Sequence, residues 1–235
     1  MSILAAVEQA CRIRGDYVGR QGYGLVYGSH ATGTGTPTSD LDLVLIGPEQ
    51  LSAARMSQLI AEICALHHRF GLDLDTEVAY ETKLFATFDD VHNAVALRCF
   101  DRDDGIIRAV PVVAEPAFLN SHRFGSRLLL NALTSPHIFL GGDTTRYRVH
   151  LQEAEAALAR LALALVSDTV VSMADISRAV VSCASAVGKD FLGYDDGAHL
   201  RSTLARGLGE LMAEGFISDI DGTHIRKPTD RPQEI

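Results

Sequence analysis

The segment LVYGSHATGTGTPTSDLDLVLIG, residues 25–47, constrains this chain more than any other stretch. It reads as a short apolar strand, a glycine turn, a loop of small polar residues, and a second strand that opens with two carboxylates. Asp40 and Asp42 stand two apart on DLDLVLIG (40–47), so they point to one face while Leu41 and Leu43 point to the other. Beyond Asp42 the run Val44, Leu45, Ile46 leaves no polar face, which marks the strand as central and buried. Two like charges at the mouth of a buried strand repel each other and resist desolvation. A divalent cation removes that penalty, and hard oxygen ligands suit magnesium or manganese. The blander reading is a solvated pair on an edge strand, and the apolar continuation through Ile46 argues against it.

Gly28-Ser29 supplies the other half of the constellation. A glycine there lets backbone approach phosphates closely, and Ser29 offers a hydroxyl and an amide as donors. The loop contains no lysine, so it is not a Walker-type phosphate loop. Gly33 and Gly35 need provide only turn geometry. His30, beside the turn, is more readily incidental than a nucleotide contact.

These residues resemble the signature of the DNA polymerase beta-like nucleotidyltransferase superfamily: a hydrophobic residue, Gly, Gly or Ser, a spacer of about ten residues, then Asp-hydrophobic-Asp-hydrophobic. Here the pattern is Tyr27-Gly28-Ser29, the spacer His30–Ser39, and Asp40-Leu41-Asp42-Leu43. The stretch TGTGTPTSD is similar to the Gly-Thr-rich spacers of minimal and aminoglycoside nucleotidyltransferases. The resemblance implies transfer of a nucleoside monophosphate from an NTP to an acceptor hydroxyl, with two Mg2+ ions, or Mn2+ in their place. It implies Asp40 and Asp42 as metal ligands, and Gly28, Ser29 and Ser39 as nucleotide-binding residues. It also implies a third carboxylate on a later strand. Asp73, Asp75 and Glu77 share one face of LDLDTEVAY (72–80), a strand by its alternation. Asp75 is favoured as the third metal ligand; Glu77 is the alternative, or the base that takes the acceptor proton.

Around this segment, apolar spacing predicts helices over 2–14 and 49–69, and AVALRCF (94–100) with IIRAVPVV (106–113) reads as a hairpin. From about Arg123 the pattern is helical: 123–133, 145–166, 169–188 and 197–214, the third capped by Ser167 or Asp168. The tail after Gly222 reads as loose. The expected fold class is α+β: a nucleotidyltransferase-type mixed, largely antiparallel sheet with helices over 1–118, followed by an all-helical C-terminal domain over 119–235.

Charge bears on the partner. The net charge of −9 and the absence of any basic run disfavour nucleic acid, which needs Lys and Arg to replace counterions. A small hydroxylated acceptor, cationic or not, suits the charge better. Asp103, Asp104, Glu153, Glu155, Asp195 and Asp196 are acidic residues that attract a cation or simply coat the surface. Two rivals stand: AMPylation of a protein partner, as in antitoxin-type members, and a non-catalytic nucleotide-binding module on the same fold. Arg98, Arg108 and Lys83 read as triphosphate contacts or exposed faces equally well.

Cys11, Cys64, Cys99 and Cys183 are scattered among apolar neighbours and read as small core hydrophobes. No basic and apolar leader opens the chain, and Arg160 interrupts the longest apolar stretch. A cytoplasmic protein without membrane contact is the expectation.

Overall fold

The computed structural model describes residues 3–74, 84–99, 110–111, 125–186, 197–219 and 221–227. Asp75 and Glu77 lie outside the described residues, as do Lys83, Asp103, Asp104, Arg108, Asp195 and Asp196. In chain order the elements are α1 (Ile3–Val18), β1 (Tyr23–Val26), α2 (Gly28–Thr32), β2 (Leu43–Gly47), α3 (Ala53–Phe70), β3 (Phe85–Thr87), α4 (Phe88–Val95), β4 (Arg98–Cys99) and β5 (Val110–Pro111). They continue with α5 (Gly125–Thr134), β6 (Ile138–Gly142), α6 (Thr144–Ala164), β7 (Val170–Ser172), α7 (Met173–Ala186), α8 (Ala198–Ala213), β8 (Ser218–Asp219) and β9 (His224–Arg226). Two compact units result: Met1–Val91 with Pro136–Arg148, and His92–Ser135 with Val149–Ile235.

The first unit is built on a mixed sheet in the order β3-β2-β1-β6. β1 runs antiparallel to β2 and to β6, while β3 is parallel to β2. Every residue of β1 and β2 is buried, as the unbroken apolar run of β2 predicts. On one face Val26, Leu43 and Leu45 share a core with Ala6, Ala10 and Ile13 of α1 and Met56, Leu59 and Ile63 of α3. At roughly 1.5–3 kcal/mol for each fully buried Leu or Ile, that core fixes where β2 begins and ends. Cys11 and Cys64 pack against it, in keeping with their reading as small hydrophobes. On the other face Tyr23 meets Tyr147 edge-on at 5.6 Å, and Tyr147 stacks on Phe139 at 4.5 Å.

β6 departs from expectation, because Gly141-Gly142-Asp143 reads in sequence as the break between the helices expected over 123–133 and 145–166. Five residues ending in two glycines carry too little periodicity to announce a strand; pairing with β1 makes it one. α3 starts at Ala53 and not at Glu49, because Ser52 accepts from the Arg55 amide at 3.4 Å and caps it.

The second unit is mainly helical, but it is not all-helical. A three-stranded sheet in the order β7-β9-β8 joins the start of α7 to the chain after α8. The cap of α7 is therefore Ser172, not Ser167 or Asp168. Ser172 Oγ accepts from the Asp175 amide at 3.2 Å, and Asp175 Oδ2 accepts from the Ser172 amide and hydroxyl at 3.2 and 2.6 Å. Pairing of the β-branched Val170 and Val171 with β9 displaces the helix start by several residues. The same pairing orders the tail through Lys227, which donates to the carbonyls of Leu163 and Val166 at the end of α6. Burial lowers the Lys227 pKa. Glu155 is buried in α6 and accepts from Arg206 of α8 at 2.6 to 3.0 Å. It is a structural ion pair and not a surface charge awaiting a cation.

Candidate active site

The expected strand over 40–47 forms its ladder only from Leu43. β1 ends at Val26, so among the described residues the chain before Leu43 has no strand opposite it beyond one bond, from the Tyr27 amide to the Asp42 carbonyl at 3.0 Å. Asp40 and Asp42 thus sit where the ladder has run out, at the mouth of a buried strand. Both are partly exposed, while Leu41 between them is 2% exposed and belongs to the helix-side core. The alternation read from sequence holds across the end of the ladder.

Opposite them, Gly28 turns the chain with φ +72, a conformation that side-chain-bearing residues rarely adopt. A Cβ placed there would lie 2.2 Å from Asp42 Oδ2. Glycine is required twice over, for its backbone angle and because the Asp42 carboxylate occupies the space beside it. Ser29 follows, with its Oγ buried and without a hydrogen-bond partner among the described residues. A buried hydroxyl left so is uncommon, and it lies next in sequence to the glycine that meets Asp42.

The stretch 29–39, expected as an open loop, is more ordered than that. Gly28–Thr32 forms one helical turn stopped by Gly33. The Thr34 and Gly35 amides both donate to the Ser29 carbonyl, at 3.0 and 2.9 Å. Ser39 Oγ accepts from the Thr36 amide at 2.8 Å and lies 2.9 Å from Thr36 Oγ1, so this expected nucleotide contact is engaged in closing its own turn. His30 Nε2 donates to the Ser39 carbonyl at 2.9 Å, which gives the ring a part in holding the loop.

One residue of the frame was not singled out in sequence. His67, buried in the last turn of α3, places Nε2 3.0 Å from the Leu41 amide and Nδ1 2.8 Å from the Ile63 carbonyl. The sequence does hold a signal for it: His67 lies four residues after Ile63 on the apolar stripe, a polar side chain at a core position just before the Gly71 cap.

Residues 25–95 match the family model of the nucleotidyltransferase domain. The chain carries a nucleotidyltransferase domain. The matched region begins in β1, contains Gly28, Ser29, Asp40 and Asp42, and ends with α4. The match supports general transfer of nucleoside monophosphates and, with it, a transferase of phosphorus-containing groups. None of the curated proteins compared with the chain matches it.

The chemistry of the donor set is of a kind that suits a metal-nucleotide ligand. Hard carboxylate oxygens lie on two alternate residues, one of them against Gly28, and the hydroxyl of the next residue, Ser29, has no hydrogen-bond partner among the described residues. Among the described residues no group of three or more potential ligands gathers, and Asp75 and Glu77, two of the three candidates for the third carboxylate, lie outside them. Asp73 is described and exposed, its amide donating to the Thr38 carbonyl at 2.6 Å. A cavity of about 440 Å³ in the second unit, lined by Met173, Leu208, Met212 and His224 among others, contains none of these residues. No helix among the described residues is long and apolar enough to cross a membrane.

Proposed function

We propose that the protein is a metal-dependent nucleotidyltransferase that moves a nucleoside monophosphate from an NTP to a hydroxyl of a small acceptor, with release of pyrophosphate. The observation that carries this reading is the contact of the Asp42 carboxylate with the Gly28 turn, next in sequence to Ser29, whose buried hydroxyl has no partner among the described residues. Asp40 and Asp42 would hold Mg2+ or Mn2+, with Asp75, or else Glu77, completing the set. When bound, such ions neutralise charge on the triphosphate and on the departing pyrophosphate.

The chain's own groups do the rest. The Gly28 turn brings backbone to the phosphates, and Ser29 Oγ donates to a phosphate oxygen. Glu77, if Asp75 is the ligand, accepts the proton of the acceptor hydroxyl. The acceptor oxygen bonds to the α-phosphorus as the bond to the bridging oxygen breaks. Catalysis on this scheme is positioning and charge neutralisation. The charge of −9 favours a small or cationic acceptor over nucleic acid, and a cytoplasmic setting suits the unpaired thiols of Cys11 and Cys64.

The test is pyrophosphate release from each of the four NTPs with Mg2+, with and without a panel of small hydroxylated amines. Release that requires one acceptor and falls about 10³-fold in Asp42→Asn supports the reading, since several kcal/mol of transition-state stabilisation is lost. Full activity in Asp42→Asn would falsify the metal assignment. Label transferred to a protein and to no small molecule would replace the acceptor, and tight nucleotide binding without release would leave a regulatory module.

A further inference from the structure

The end of α3 grips the segment that carries the two carboxylates at two points. At one, the Asp73 amide donates to the Thr38 carbonyl at 2.6 Å. At the other, the Leu41 amide donates to His67 Nε2 at 3.0 Å. Gly71, left-handed at φ 66, closes the helix with amide bonds to the His67 and His68 carbonyls, and the Leu72 amide also donates to His67. The turn that seats His67 is the one that leads the chain past Thr38.

We infer that His67 is a positioning residue for Asp40 and Asp42. Its bond to Leu41 lies on the peptide joining Asp40 to Leu41, so it restrains ψ of Asp40 and φ of Leu41. Those two angles set the direction of the carboxylate on either side. This segment lies just before the ladder of β2, where no strand among the described residues pairs with Leu41. A side-chain acceptor on a packed helix holds its amide instead. The bond also specifies the imidazole: Nε2 must present its lone pair to the Leu41 amide, and Nδ1–H must donate to the Ile63 carbonyl. The ring is 2% exposed and held at both nitrogens. The inference rests on the reading of Asp40 and Asp42 as metal ligands and extends it to the shell that aims them.

The first measurement is long-range ¹H–¹⁵N correlation on the full-length protein, in which His67 is expected as the Nδ1–H tautomer. An Nε2–H tautomer or an imidazolium at neutral pH overturns the inference. The second is Mn2+ titration by electron paramagnetic resonance, together with kcat and KM from pyrophosphate release. His67→Leu is expected to weaken Mn2+ binding about 10–100-fold and to lower kcat more than it raises KM for nucleotide. His67→Gln, whose amide oxygen can accept from Leu41, should recover most of both. A folded His67→Leu with wild-type Mn2+ affinity and kcat overturns the inference, as does His67→Gln no better than His67→Leu at equal thermal stability. Should His67→Leu not fold, the tautomer and the Gln variant decide. Asp42→Asn separates the two layers: wild-type Mn2+ affinity there removes the metal reading and this inference with it. Weakened binding there beside an unaffected His67→Leu removes only the role of His67.

Discussion

Two turns rich in small polar residues, one in each unit, use their polar atoms in opposite ways. In the turn between β8 and β9, Asp221 Oδ1 accepts from the Thr223 amide and hydroxyl and from the His224 amide, at 2.6 to 2.9 Å. Asp219 Oδ1 accepts from the Asp221 and Gly222 amides at 3.2 and 2.8 Å. Those carboxylates complete their own loop. In the turn after β1, Asp42 packs against the bare Cα of Gly28, and the Ser29 hydroxyl is buried with no partner among the described residues. A turn that satisfies itself serves the fold. A turn that leaves a buried donor open among the described residues bears a cost, which is in keeping with the ligand role proposed for it.

The comparison breaks most readily at Gly28. Gly28→Ala combines a left-handed backbone angle with a Cβ 2.2 Å from Asp42 Oδ2, so the carboxylate or the turn must move. Turnover should fall about 10²-fold, the usual result of misplacing a catalytic group by about an ångström, and steady-state kinetics on a folded variant checks it. Near-normal turnover would mean that Asp42 is not aimed by this turn.

Within the self-satisfied class, the pair Glu155–Arg206 should give the largest effect on stability and none on chemistry. Arg206→Met leaves a carboxylate whose side chain is 7% exposed without its bidentate partner. Chemical denaturation should show a loss of about 2 kcal/mol, below the usual cost of breaking a buried pair because the guanidinium is half exposed.

Ser29→Ala sharpens the contrast from the other side. It should raise KM for the nucleotide about tenfold, as one hydrogen bond to a charged group is lost, while the melting temperature stays level or rises. A fall in melting temperature without a change in KM would make Ser29 a structural residue like those of the β8–β9 turn.

The smallest effect is expected at Thr223. Hydrogen bonds from the Thr223 hydroxyl, then from its amide, hold the Asp221 carboxyl well below the usual carboxylate range. A depressed folded-state pKa contributes stability that is full above the unfolded value of about 3.9 and is lost as pH falls through the folded value. Thr223→Val should therefore lower the melting temperature slightly at neutral pH and flatten the acid side of its pH profile below about pH 4, where the wild type loses this contribution, the effect being small because the carboxylate is exposed.

Much of the site was legible because its signals are local. The spacing of Asp40 and Asp42, the apolar run behind them and the Gly28-Ser29 turn are properties of consecutive residues, and the structure sets the Asp42 carboxylate against Gly28. Ser39 was legible only as part of a motif, and its hydroxyl closes a turn on Thr36. His67 was missed because its partner lies 26 residues away, and a histidine on an apolar stripe reads as core until that partner is known.

The sequence by itself determined the mixed α+β character of the first unit, the buried central strand and the residues at its mouth. Each follows from side-chain period or backbone permission, which a short window contains. Only the tertiary structure decided that 138–142 joins the sheet beside β1, that Ser172 begins α7, and that the tail pairs with β7 and seats Lys227 on the end of α6. Those are choices among partners for backbone amides and carbonyls, and such groups are the same at every position until the fold brings two of them within reach.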